Sequence, residues 1–247
     1  MSYTLFHADS AVSVVPLILL RQLNIAHEVV LVEYDDIAAR KDLPAVRRLL
    51  AINPLAQVPT LLTPDGISMS ESTAIVLYLL HEHGRGTPWD LEKLTRAQLA
   101  GFYRLMVVIP AVVYPAIGYE DFPERYIVVP AENAEEGKQA IKWMKAGGYQ
   151  KLGESYKLVE SILSDFNKRA YGADSEATTI KFALGTQTAT ALDIMLAVTV
   201  HYAPHPRPKW LEENCPRLFA SASSTVNIPG IVDAFRESVH LKPFIRD

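Results

Sequence analysis

Two hydrophobic rhythms divide the chain. Up to about residue 83, short apolar runs alternate in kind and are separated by turn signals. Tyr3–His7 (YTLFH) predicts a strand, Val14–Leu23 an apolar helix ending near Asn24, and the β-branched run His27–Val32 a second strand. Arg40–Leu50 has helical spacing with a basic outer face and is broken by Asn53-Pro54. Thr60–Leu62 and Ile67–Met69 predict short strands around Thr63-Pro64-Asp65-Gly66, where proline presets φ and glycine accepts a positive one. A helix from Ser70 to about His83 completes the order β-α-β-α-β-β-α, which implies a small mixed α/β unit.

The rhythm lengthens after Gly84-Arg85-Gly86-Thr87-Pro88, a linker composition. Leu91–Gly118 predicts one helix or two, kinked at Pro110 and Pro115, followed by helices over Tyr149–Ala170, Thr190–Tyr202, Asn214–Val226 and Ile228–Val239. The polar stretch Pro123–Gly148, acidic at Glu132–Glu136, is expected to be an excursion between helices. The expected organisation is an α/β unit over 1–83, a linker over 84–90 and an all-α unit over 91–247.

Composition narrows the function classes. With 49% hydrophobic and 21% charged residues, the chain is too apolar for intrinsic disorder. A net charge of -4 without a long Lys/Arg cluster leaves no electrostatic footprint for nucleic acid. The single cysteine, Cys215, excludes an internal disulfide framework and a multi-cysteine metal site, and it fits a reducing compartment. His81 and His83 are two residues apart and so leave one helix on different faces; no metal is expected. Ala11–Leu20 is apolar but lacks a basic flank and a cleavage site, and Leu105–Tyr119 is short for a bilayer and interrupted by two prolines. These features predict a soluble, cytoplasmic protein with no membrane or nucleic-acid partner.

Three separated motifs carry chemistry. In Asn53-Pro54-Leu55-Ala56-Gln57-Val58-Pro59-Thr60-Leu61, a cis Val58–Pro59 bond would turn the Val58 N–H and C=O outward, ready for an extended peptide; an ordinary strand-start proline is the plainer alternative. Ser70-Glu71-Ser72 opens a helix; such serines cap free N–H groups, and the same positions hold a carboxylate at the helix N-terminus while Glu71 meets an ammonium group. Between the first strand and helix, His7-Ala8-Asp9-Ser10-Ala11-Val12-Ser13 places serines at a helix start, where a hydroxyl and the helix dipole favour a thiolate.

In this order and spacing the set resembles the cytosolic glutathione S-transferase superfamily, and the likeness covers nearly the whole chain. Thr190-Ala191-Leu192-Asp193 resembles that family's S/T-x-x-D capping motif, in which Thr190 and Asp193 each bond the other's backbone N–H. Pro216–Pro229 resembles its penultimate-helix region. The resemblance implies a thioredoxin-like N-terminal domain, an all-α C-terminal domain, glutathione as co-substrate and a homodimer. It implies that Val58, beside Pro59, bonds the cysteinyl backbone of glutathione and that Glu71 and Ser72 bind its γ-glutamyl group. Arg40, Lys41, Arg47 and Arg48 are candidates for the glycyl carboxylate, although solvation of a helix is their ordinary role.

The catalytic position departs from the family pattern. Phe6-His7 stands where tyrosine-type members place their hydroxyl, and Val12 where cysteine-type members place their thiol. Ser13 is therefore the expected thiol-contacting residue, with Ser10 in reserve and His7 structural. A thiol pKa near ~8.5 must fall by about two units, roughly 2.7 kcal/mol; a hydrogen bond to a charged sulfur gives about 1.5–3 kcal/mol and the dipole up to ~1 more. The implied activity is a serine-type transfer of the glutathione thiol to a small hydrophobic electrophile. Ether cleavage, isomerisation, sulfur donation or a non-catalytic binding module are the alternatives. Arg104, Tyr114 and Tyr119 are the expected substrate contacts, with a protein carboxylate as the expected partner of Arg104.

Overall fold

Tyr3–His7 is buried at all five positions, as a strand covered on both faces must be. The computed structural model, which describes residues 2–9, 11–171 and 181–238, makes this strand β1 and follows it with α1 (Val14–Gln22), β2 (His27–Leu31), α2 (Tyr34–Ala38), α3 (Pro44–Ile52), β3 (Thr60–Leu62), β4 (Ser68–Ser70) and α4 (Ser72–His83). The sheet order is β2-β1-β3-β4. β1 and β2 are parallel with His7 opposite Leu31; β1 and β3 are antiparallel with Phe6 opposite Thr60; β3 and β4 are antiparallel with Thr60 opposite Ser70. One end of the sheet therefore gathers the exits of β1, β2 and β4 and the entry of β3.

Three local differences from the sequence expectation have backbone causes. The helix expected over Arg40–Leu50 begins only at Pro44, with the short α2 ahead of it, because Arg40 takes φ 46° and Leu43, before Pro44, is held extended at φ -107°, ψ 147°. β4 runs one residue later than expected: Ile67 belongs to the turn, its N–H bonded to Thr63 Oγ1 at 2.9 Å and its C=O to the Thr63 N–H at 2.9 Å. α4 begins at Ser72, since Glu71 sits at φ 70° and cannot be helical.

The second unit comprises α5 (Arg96–Val108), a π-helical segment at Ile109–Val113, α6 (Tyr114–Asp121), α7 (Ala134–Tyr171), α8 (Ala191–Thr199), α9 (Lys209–Asn214), α10 (Pro216–Val226) and α11 (Ile231–Glu237). α5 opens on a reciprocal cap between Thr95 and Gln98. Pro110 has no N–H for the Met106 carbonyl four residues earlier, and Thr73 Oγ1 of α4 donates to that carbonyl at 2.8 Å, tying the two units together. The helical rod Arg96–Asp121 has 26 residues and by length and composition alone would cross a bilayer; it instead packs against α7 and α8. The excursion expected over Pro123–Gly148 is largely the start of the 38-residue α7. Glu135 and Glu136 in its first turn complement the dipole, and Gly148 marks close approach rather than a break, because a Cβ there would lie 2.6 Å from the Glu120 nitrogen. α9 was not expected, and the described part of the last helix is Ile231–Glu237.

α8 is buried at every position and lies under α1, which also packs on α4, so one core joins both units. A helix start sealed from water must satisfy its N–H groups internally. Asp193 does so: Oδ2 accepts the Thr190 N–H and Thr190 Oγ1, both at 2.7 Å, and Oδ1 accepts the Ala183 N–H at 2.7 Å and Ser221 Oγ at 2.9 Å. Thr190 and Asp193 thus form the expected reciprocal cap, and the Thr190 hydroxyl donates to the carboxylate as well. Burial pushes the Asp193 pKa up, and the donors offset part of that shift.

A second latch joins the end of β1 to α1. Ser13 Oγ lies 2.8 Å from His7 Nδ1, 3.2 Å from the Ala8 N–H donor and 3.1 Å from the Ala8 carbonyl. A hydroxyl has one proton and two lone pairs. Donation to Ala8 C=O and acceptance from the Ala8 N–H and from His7 Nδ1–H use all three. Desolvation lowers the His7 pKa below its ordinary 6.5, an effect partly countered by Asp9.

Asp193→Ala strands buried donors and is expected to lose roughly 3–5 kcal/mol in urea unfolding, with Asp193→Asn losing less. Because His7 binds its proton more weakly folded than unfolded, stability rises with pH through the window just below the unfolded value. The urea midpoint should fall from about pH 7.5 to about pH 5.5, and His7→Gln should make that fall shallower; an unchanged slope would remove His7 as its source.

Candidate functional site

The strand register brings the three chemistry-bearing segments to one place. The β1–α1 loop leaves β1 beside Thr60, Val58–Pro59 enters β3 there, and Glu71–Ser72 follows directly on Ser70, opposite Thr60. β2 exits at the same end and leads into Tyr34.

The Val58–Pro59 peptide bond is cis. The loop before it is fixed from within. The Asn53 side chain donates to Thr60 Oγ1 at 2.8 Å and accepts the Leu55 N–H at 3.1 Å, while Thr60 Oγ1 donates to Gln57 C=O at 2.7 Å. Asn53 and Thr60 are buried, so this loop holds its shape without help from a ligand. Among the described residues no hydrogen bond engages the N–H or C=O of half-buried Val58. Its backbone is an unpaired strand edge of two groups.

At α4 the plain capping alternative does not hold. Glu71 occupies the N-cap position at φ 70°, ψ 113° and makes no side-chain cap. Ser72, 5% exposed, is the first helical residue, and no hydrogen bond among the described residues uses its hydroxyl. A non-glycine residue at such a φ costs about 1–3 kcal/mol. The result is a helix start with free N–H groups, a free hydroxyl and an exposed carboxylate side by side.

Ser13 is placed differently from expectation. It is fully buried, and its one proton goes to the Ala8 carbonyl in the latch described above. As placed it has no donor to offer a sulfur. Its sequence neighbour Val12 is half-buried, and no hydrogen bond among the described residues engages the Val12 N–H. Ser10, the reserve candidate, lies outside the described residues.

Beside Val58 lies a cleft of about 350 Å³ lined by Tyr34, Ile37, Ala38, Arg40, Leu55, Ala56, Gln57, Val58 and Arg125. The structure discriminates among the four basic candidates. Lys41 pairs with Asp36 at 2.5 Å, Arg47 with Asp42 at 2.5 Å, and Arg48 grips both oxygens of Glu28 at 2.9 Å. Among the described residues Arg40 donates only to the Pro54 carbonyl, at 3.3 Å, and it lines the cleft. Sequence reasoning missed Tyr34 and Gln57. The parallel pairing of β1 with β2 would have pointed to Tyr34.

The expected substrate contacts do not line this cleft. Tyr114 turns its hydroxyl inward to Met195 Sδ at 3.0 Å, and burial raises its pKa. Tyr119 meets Tyr126 edge-on, with ring centroids 4.7 Å apart. Arg104 is exposed on α5 and borders a different cavity of about 510 Å³ with Phe166 and Arg169; among the described residues it has no carboxylate partner, and in water it needs none. Cys215 is buried, and desolvation pushes its thiol up to about 12, which makes it a packing residue. Among the described residues no cluster of three or more His, Cys, Asp or Glu side chains is placed to hold a metal.

Known proteins share this fold. Residues 5–88 match the family model described as glutathione S-transferase, N-terminal domain. The uncharacterised glutathione-transferase-like protein YncG of Escherichia coli K12 is 27% identical over 196 residues, spanning 78% of this chain and 80% of its own. Among solved structures, a glutathione transferase homologue from Sulfitobacter with bound glutathione superposes with a TM-score of 0.69 at 16% identity, over 96% of this chain and 98% of the other. Ure2p in complex with glutathione gives 0.69 at 19% identity, over 94% and 98%. At these identities the two structures speak to fold alone. Residues 5–88 thus carry a glutathione S-transferase N-terminal domain, and the thioredoxin-like sheet with the helical domain behind it has the glutathione transferase fold.

Proposed function

We propose that the cleft at the β1–β3–β4 end binds glutathione and promotes attack of its sulfur on a small hydrophobic electrophile. The observation that carries this is the common placement of the unpaired Val58 backbone, the uncapped α4 start and Arg40 along one sheet end. In this reading Val58, held by cis-Pro59, bonds the cysteinyl N–H and C=O. Ser72 and the first N–H groups of α4 take the γ-glutamyl carboxylate, and Glu71 takes its ammonium. Arg40 takes the glycyl carboxylate. The Sulfitobacter and Ure2p structures, both with glutathione, are consistent with such an occupant.

The sulfur then lies toward the first turn of α1. Ser13 serves there by holding the turn, while the Val12 N–H and the α1 dipole face the thiolate. A backbone hydrogen bond to a charged sulfur contributes about 1.5–3 kcal/mol and the dipole about 0.3–1 kcal/mol. Their sum covers the roughly 2.7 kcal/mol that a two-unit shift requires. Arg104, Tyr114 and Tyr119 belong on this reading to the scaffold of the helical domain rather than to the electrophile contacts. A cytoplasmic homodimer is part of the same proposal; Tyr103 and Val107 on α5, 46% and 57% exposed, offer an apolar face for a second copy.

The engagement of the Ser13 hydroxyl favours one rival, a protein that binds glutathione on this fold without turning it over. The two diverge in the ultraviolet absorbance of the bound thiolate. Glutathione titrated on the wild-type protein should show a thiol pKa about two units below that of free glutathione, and Ser10→Ala should retain most of that shift. Binding with an unshifted thiol would establish the non-catalytic module instead. Arg40→Met should weaken glutathione binding about tenfold by calorimetry, whereas Lys41→Met and Arg47→Met should leave it within twofold.

A further inference from the structure

Arg125 is a cation from the helical unit that reaches the cleft of the sheet unit. It ends a 3-10 turn, Pro123–Arg125, and its guanidinium lies 4.1 Å from the centroid of the Phe122 ring. That stacking restricts the side chain without engaging its N–H donors in an ion pair. Among the described residues no carboxylate lies within ion-pair distance of it. Tyr34, from α2, lines the same cleft, and its hydroxyl lies close enough to feel the Arg125 charge. Ile37, Ala38 and Leu55 supply an apolar wall alongside.

A charge count over glutathione leaves this group unused. The tripeptide brings two carboxylates and one ammonium; the α4 start, Arg40 and Glu71 account for all three. Arg125 and the Tyr34 hydroxyl remain, two donor groups that line the same cleft as Val58. We infer that Arg125, with Tyr34, recognises an anionic group on the second substrate, so that the electrophile is an amphipathic carboxylate rather than a neutral hydrocarbon. This rests on the glutathione assignment above and adds the substrate class to it. In the reaction the C–S bond forms from the glutathione sulfur, the bond from the same carbon to its leaving group breaks, and the thiol proton passes to water. The carboxylate is untouched and serves to hold the reacting carbon near the sulfur.

The test uses a matched pair of electrophiles, 4-chloro-3-nitrobenzoate and 4-chloro-3-nitrobenzamide, each measured relative to its uncatalysed reaction with glutathione. Chloride is the leaving group in both. Wild-type kcat/KM should favour the carboxylate about tenfold, and Arg125→Met should abolish that preference through the KM of the carboxylate. The two glutathione conjugates, titrated by calorimetry, give the same comparison without requiring turnover. Equal treatment of the pair by the wild-type protein overturns the inference, as does an Arg125→Met variant whose loss falls on the glutathione KM. Either result, in a protein that still binds glutathione, leaves the glutathione site standing; absence of glutathione binding removes both.

Discussion

Antiparallel pairing of β3 with both β1 and β4 is the constraint from which the site follows. Its register sets Phe6, Thr60 and Ser70 abreast. A one-residue slip in either pair would exchange the two faces of the slipped strand and separate the segments that meet there. β1 and β3 carry Leu5 and Leu61 with no exposed surface, so the hydrophobic pattern leaves little freedom in that register. The site exists where it does because the core does not permit another alignment.

Polar groups at that end divide into those already engaged and those left over. Asn53 and Thr60 bond each other and the preceding loop, and Ser13 bonds His7 and Ala8. These interactions are buried, and they stiffen the backbone on either side of the cleft. The groups without internal partners among the described residues include the Val58 backbone, the Val12 N–H and the opening of α4. Rigid support around unsatisfied donors and acceptors is what a preorganised binding site requires. The serine that a linear motif offers as the chemical group is in the tertiary structure part of the support.

The two units are coupled more tightly than a flexible linker would allow. α1 lies between α4 and α8, and Thr73 of α4 bonds the Met106 carbonyl at the Pro110 kink of the α5–α6 rod. α8, apolar all round, is admissible in the middle only because Asp193 collects the donors at its start. The cleft is thereby held against the Phe122–Tyr126 turn of the helical unit, which is how Arg125 comes to border Val58.

Much of this was legible in the chain. Periodicity located β1, α1, β2, β3 and α4 to within a residue or two, and the Val58-Pro59 and Glu71-Ser72 segments stood out by composition, because each depends on local backbone chemistry. Long-range partners were not legible. Gly148 and the acidic run Glu132–Glu136 resembled loop because the close approach of α6 to α7 leaves no mark on either segment alone. Spacing alone did not separate Arg40 from Lys41, Arg47 and Arg48: Lys41 and Arg47 take carboxylates five residues away across the α2–α3 turn, and Arg48 takes Glu28 from β2. The same holds for Ser13, whose hydroxyl direction is set by His7 and Ala8 across the β1–α1 loop. Local geometry, strand identity and turn chemistry were thus determined by neighbours in sequence. Which polar groups remain free for a ligand is a subtraction over contacts between distant residues, and only the tertiary structure performs it.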